Sequence, residues 1–75
     1  MNDDILQGKW KQVKGQVRTW WGKLTDNDIE EIAGRGEKLI GLLQEKYGYT
    51  RERAEEEVKR RLREFEAQFS SVMPK

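Results

Sequence analysis

Lys9, Lys11, Lys14, Arg18 and Lys23 share one short stretch of the chain with Trp10, Trp20 and Trp21. Cations interleaved with large rings are what an amphipathic helix needs to lie on an anionic bilayer, rings at the headgroup boundary and lysines against phosphates. The same cations suit the backbone of a nucleic acid, where basic side chains supply affinity without reading sequence. At about 100° per residue, Lys11, Lys14 and Arg18 fall on one flank of a helix and Lys9 and Lys23 on the other. The rings, however, recur in a helical stripe with Val13, Val17 and Leu24, which argues that they face inward. Single-strand binders instead display their rings on an open platform. A chain that is only 35% hydrophobic needs Trp10 and Trp21 for its core. Three uses stay open: a core helix with solvated lysines, a surface for a protein partner or weak self-association, and a contact with anionic lipid or nucleic acid. For any contact, the interaction surface comprises Lys9, Lys11, Lys14, Arg18, Trp20 and Lys23.

Other reactive groups are scarce. The sequence holds no cysteine and no histidine, which removes thiol chemistry and acid–base work by imidazole near neutral pH. Asp26, Asp28, Glu30 and Glu31 begin like a divalent-metal loop, but Ile29 starts an apolar periodicity where such a loop would continue with oxygen ligands. A capped helix explains these acids better. The run Ala33-Gly34-Arg35-Gly36-Glu37-Lys38 lacks the Lys-Ser/Thr ending and the preceding strand of a phosphate loop. Carboxylates near the C-terminus alternate with arginines, so no pair stands apart as one acid and one base. Tyr47 and Tyr49 flank Gly48 and are read as covering a turn. No catalytic residue, cofactor-binding residue or metal ligand is therefore nominated, and no small-molecule substrate is expected.

Four periodic segments surround these groups. Leu6, Trp10, Val13, Val17, Trp21 and Leu24 predict a first helix over about 4–24, with Asp3 and Asp4 suited to its positive end. Gly8, Gly15 and Gly22 recur every seven residues on the opposite face, each weakening the helix by up to about 1 kcal/mol relative to alanine. They are read either as solvated positions or as bare backbone open to close approach. Thr25 and Asp28 form a variant capping box ahead of Ile29, Ile32 and Ala33, and Gly34 and Gly36 end or bend that helix. A third helix over about 37–46 offers Leu39, Ile40 and Leu43, widened by Leu42 and Tyr47. Gly41 leaves room there for a crossing neighbour, and Gly48 supplies the C-cap. Thr50 caps a fourth helix with a stripe of Ala54, Val58, Leu62, Phe65 and Phe69, which Val72 extends. Its charges predict the pairs Glu55–Lys59, Glu56–Arg60 and Glu57–Arg61 one turn apart.

These stripes need one another to leave water, which predicts an all-α fold: a small four-helix bundle-like domain with two longer outer helices and two short middle helices. Residues 1–75 form one domain, with 70–75 a flexible tail. With 39% charged residues and 75 positions in all, the core is thin and folding marginal. The net charge of +1 points to no partner by itself. Its distribution is uneven, since residues 1–24 hold five bases and two acids and residues 25–34 hold four acids and no base. Neither an export signal nor a membrane-spanning run is read from the sequence, so the cytoplasm is the expected compartment.

Several short motifs resemble the CsbD-like family of small bacterial proteins associated with the general stress response. They are Gly8-Lys9-Trp10-Lys11, Lys14-Gly15, Gly22 to Asp28, Gly34, Leu39-Ile40-Gly41 and Gln44 to Gly48, continuing through Thr50, Glu52, Ala54 and Glu55 to Val58. The resemblance covers roughly residues 5–60. It implies a compact, helical, usually cytoplasmic protein and brings no catalytic set to transfer. Gly36 and Leu42 stand where relatives often carry basic residues, which reduces the positive surface, and Leu42 enlarges an internal or dimer contact instead. The charged extension around Arg60 to Phe69 is longer than the family core requires. The expected function is that of a non-enzymatic stress-response protein acting by transient protein contacts or as an abundant stabiliser. The alternative is a peripheral module for anionic membrane or nucleic acid.

Overall fold

The computed structural model describes residues 3–72, with side chains described from residue 6 to 68. It contains four helices: α1 (Asp3–Trp20), α2 (Asp26–Ile32), α3 (Gly36–Tyr47) and α4 (Arg51–Val72). The fold is all-α, as the stripes require, and no strand occurs among the described residues. Two long helices flank two shorter ones. α1 touches each of the other three, and α3 lies against both α2 and α4.

One core collects the predicted stripes. Leu6, Val13, Val17, Trp21 and Leu24 enter from α1 and the turn after it, and Ile29 and Ile32 from α2. Leu39, Ile40 and Leu43 come from α3, and Ala54, Val58 and Leu62 from α4. Fully burying one aliphatic side chain contributes about 1.5–3 kcal/mol. Trp10, Trp20, Leu42, Tyr47, Tyr49 and Phe65 form a half-buried shell on this core. The side chains of Phe69 and Val72 lie outside the described residues.

α1 ends four residues earlier than its apolar period predicts. Trp21 still donates to the Val17 carbonyl at 3.0 Å, but Leu24 N–H bonds Trp21 O at 3.0 Å in a tight turn. The capping box downstream explains the early stop. Thr25 must be extended (φ −94°, ψ 168°) to cap α2, so the helix has to end before it. Trp21 and Leu24 remain buried all the same, because the turn folds them onto the same core.

The α2–α3 turn departs from expectation in two places. Ala33, not a glycine, takes the left-handed C-cap position, with φ 47° and ψ 39°. Gly34 follows at φ +83°, and Gly36 is the buried first residue of α3 without a positive φ. Gly34 is also the point of closest backbone approach. A Cβ there would sit 3.1 Å from Gln7 Cα and 3.4 Å from Trp10 Cβ, so α1 passes directly over this turn. Gly41 faces open space instead of a crossing helix, as do Gly8, Gly15 and Gly22. The glycine face of α1 is thus exposed.

Gly48 caps α3 at φ 71°, its N–H bonding the Gln44 carbonyl, as predicted. Thr50 Oγ1 accepts from Arg53 N–H at 3.1 Å at the start of α4. α4 continues through Val72, so residues 70–72 of the expected tail are helical, and residues 73–75 lie outside the described ones. Its surface pairs are re-partnered relative to the sequence pattern. Glu55 pairs with Arg51 at 3.4 Å, Glu57 with both Arg53 and Arg60, and Arg61 with Glu64. None of the three predicted pairs occurs among the described residues: Arg51 takes Glu55, Arg53 takes Glu57, and Arg60 turns to Glu57 instead of Glu56.

Candidate functional site

The six residues of the expected interaction surface meet different fates. Lys9 Nζ lies 3.0 Å from Glu66 Oε2, tying α1 to α4. Arg18 pairs with Asp26 at the start of α2. Trp20 packs edge-on against Trp21, with centroids 5.7 Å apart, and against Phe65 at 6.3 Å. Lys23 sits over the Tyr47 ring, 5.0 Å from its centroid. Lys11 and Lys14 are exposed and pair with no described residue. Two lysines on one flank of α1 are therefore what remains free of a cluster that looked continuous in the sequence.

The side chains joining the turn after α1 to the end of α3 form the densest polar site. Asp28 is 8% exposed, the one buried polar or charged residue among those described. Its carboxylate accepts from Thr25 N–H at 2.9 Å, while its own N–H donates to Thr25 Oγ1 at 3.1 Å. This reciprocal box satisfies two N–H groups that a helix start otherwise leaves unbonded. Lys46 pairs with the same carboxylate and also reaches Lys23 O at 3.4 Å. The hydrogen bond and ion pair with Lys46, followed by the Thr25 N–H, hold the Asp28 carboxyl below its ordinary range despite burial.

Beside this pair, Tyr47 Oη accepts the Lys23 N–H at 3.1 Å. The Tyr47 and Tyr49 rings stack with centroids 5.4 Å apart, and Arg53 lies over Tyr49 at 4.9 Å. Both tyrosines cover the turn around Gly48, as their position in the sequence suggests. On the opposite side of α3, Arg51 bonds Glu37 at 2.5 Å, and these carboxylate contacts raise its pKa. The Asp28–Lys46 pair joins residues 18 apart. No local spacing rule could have found it, although the box itself was legible from Thr25 and Asp28.

All four acids of the suspected metal loop are accounted for differently. Asp26 and Asp28 have cationic partners, Glu31 lies 3.8 Å from Lys38, and Glu30 is exposed on the surface of α2. Among the described residues, no three acids converge as a metal cage would require. No helix among the described residues is long and apolar enough to cross a membrane.

These features define a small helical protein whose polar clusters bind its own elements together. The chain belongs to the CsbD-like family, whose model matches residues 4–56. It is 51% identical over 59 residues to a UPF0337 protein of Pseudomonas aeruginosa, a match covering 79% of this chain and 91% of that one. A UPF0337 protein of Protochlamydia amoebophila is 54% identical over 59 residues, covering 79% and 89%. The UPF0337 protein YjbJ of Escherichia coli is 52% identical over 58 residues, covering 77% and 84%. No solved structure matches the chain.

Proposed function

We propose that this chain is a non-enzymatic, stress-associated protein that acts through weak, reversible contacts with other proteins. The internal commitment of its sticky groups carries this reading. Lys9, Arg18, Trp20 and Lys23 are occupied by Glu66, Asp26, Trp21 with Phe65, and Tyr47. A highly charged surface of both signs is left with a net charge of only +1, and such a near-neutral balance favours association over mutual repulsion. The full chain should slow the heat-induced aggregation of an unrelated enzyme, measured by light scattering, more than an equal mass of a charge-matched unrelated protein. Equal scattering with the two proteins would remove the proposal.

A second reading rests on Lys11 and Lys14, exposed side by side on α1 and free of partners among the described residues. They offer a small cationic patch for anionic lipid or nucleic acid. Vesicles containing phosphatidylglycerol, or a duplex oligonucleotide, should then bind the wild-type chain at low salt and lose the Lys11→Glu/Lys14→Glu variant. No binding at low salt would reject this reading.

A further inference from the structure

The outward face of α4 carries four charges that pair with no partner among the described residues. They are Glu52, Glu56, Lys59 and Arg63, and all are exposed. They are spaced four, three and four residues apart, which aligns them in one stripe within roughly 60° of arc. The neighbouring charges are engaged instead, with Arg53 and Arg60 on Glu57 and Arg51 on Glu55 and Glu37. Glu56, Lys59 and Arg63 line a shallow groove along this face, with Ala67 a turn beyond. The stripe is polarised, acidic toward the start of α4 and basic toward its middle.

We propose that this stripe is a docking surface for a second copy of the same chain. Placed antiparallel about a two-fold axis between positions 57 and 58, the two stripes match in charge at every level. Glu52 meets Arg63 of the partner, Glu56 meets Lys59, and the symmetry repeats both contacts. A parallel pairing in register sets each charge against its own kind and is repelled, so the pattern selects orientation as well as partner. A two-fold interface must be self-complementary in this way. Exposed ion pairs are individually weak and little apolar surface is added, so the dimer is a low-affinity one that salt dissolves. The pairing stands whether or not the chain protects other proteins.

The test uses the full chain in sedimentation equilibrium. Wild type should associate with concentration, its association constant falling at least about 10-fold between about 20 mM and about 500 mM salt. Glu52→Lys/Glu56→Lys makes the stripe wholly basic and Lys59→Glu/Arg63→Glu makes it wholly acidic. Each variant should be monomeric alone, and an equimolar mixture should associate more tightly than wild type. All four positions are exposed, and circular dichroism checks that the helices persist. A second measurement needs no variant: the amide shifts that move with wild-type concentration should centre on residues 52–63. Wild type that stays monomeric at low salt, a mixture that sediments as the sum of its parts, or shifts centred elsewhere would overturn the proposal.

Discussion

Removing the Asp28 carboxylate tests how the polar site holds the fold. Asp28→Ala takes the acceptor from Thr25 N–H and leaves Lys46 with only the Lys23 carbonyl at 3.4 Å. Thr25 Oγ1 still accepts the N–H of residue 28, so the capping loss is the single bond from Thr25 N–H, and leaving that part-buried donor unbonded costs about 1–3 kcal/mol. Lys46 is exposed enough to regain water, so its orphaning adds little. The cost is about 1–3 kcal/mol, a large share of the few kcal/mol a domain of this size holds. The melting temperature of the variant should drop by about 4–24 °C, followed by circular dichroism. Asp28→Asn keeps an oxygen for Thr25 N–H but loses the charge that faces Lys46, so it should cost about 1 kcal/mol less than Asp28→Ala.

The same site sets a pH dependence with a defined sign. The Asp28 pKa is lowered from 3.8, so the folded state binds this proton more weakly than the unfolded chain does. Its contribution is fully present above the unfolded value and disappears as pH falls through the lower folded value. The stability gap between wild type and Asp28→Asn should therefore be constant from neutral pH to about pH 5 and close below about pH 4. Urea unfolding at each pH measures it. An Asp28→Ala variant within about 0.5 kcal/mol of wild type, or a gap that persists undiminished to about pH 2, would refute this account.

Three further outcomes concern the backbone. Gly8→Ala and Gly15→Ala meet open space in a helix and should each stabilise the protein by about 0.5–1 kcal/mol in urea unfolding. Gly34→Ala should destabilise it by about 2–3 kcal/mol in the same assay, because φ is +83° and Gln7 Cα lies 3.1 Å from the added carbon. Ala33→Gly should raise the melting temperature, since it relieves a left-handed alanine at the α2 C-cap worth about 1 kcal/mol.

The parts of the fold that were legible in the sequence are those written in neighbouring residues. Thr25 with Asp28, Gly48 and Thr50 each mark a helix end by local chemistry, and each holds. The stripes likewise name the buried residues, since 3.6-residue periodicity survives even where α1 breaks off and Trp21 and Leu24 are carried inward by a turn. What failed depended on distance through space. The close approach of Gln7 to Gly34 decides which residue of the α2–α3 turn can carry a side chain, and Ala33 at its outer edge could accept strain that Gly34 could not. The basic cluster looked continuous because its neutralising partners, Asp26 and Glu66, lie in other helices. The predicted ladder on α4 followed one-turn spacing and could not weigh arginines competing for the same carboxylates.

The link from Lys46 and Tyr47 back to residues 23–28 also bears on the order in which the molecule comes apart. It closes a loop containing all of α2 and α3, and closing a segment of that length costs only a modest, slowly growing entropy. Residues 25–47 should therefore exchange their amide protons as one cooperative unit, with a single opening free energy. α1, weakened by its glycines, should open at lower free energy, uncovering Trp10 before the closed segment lets go.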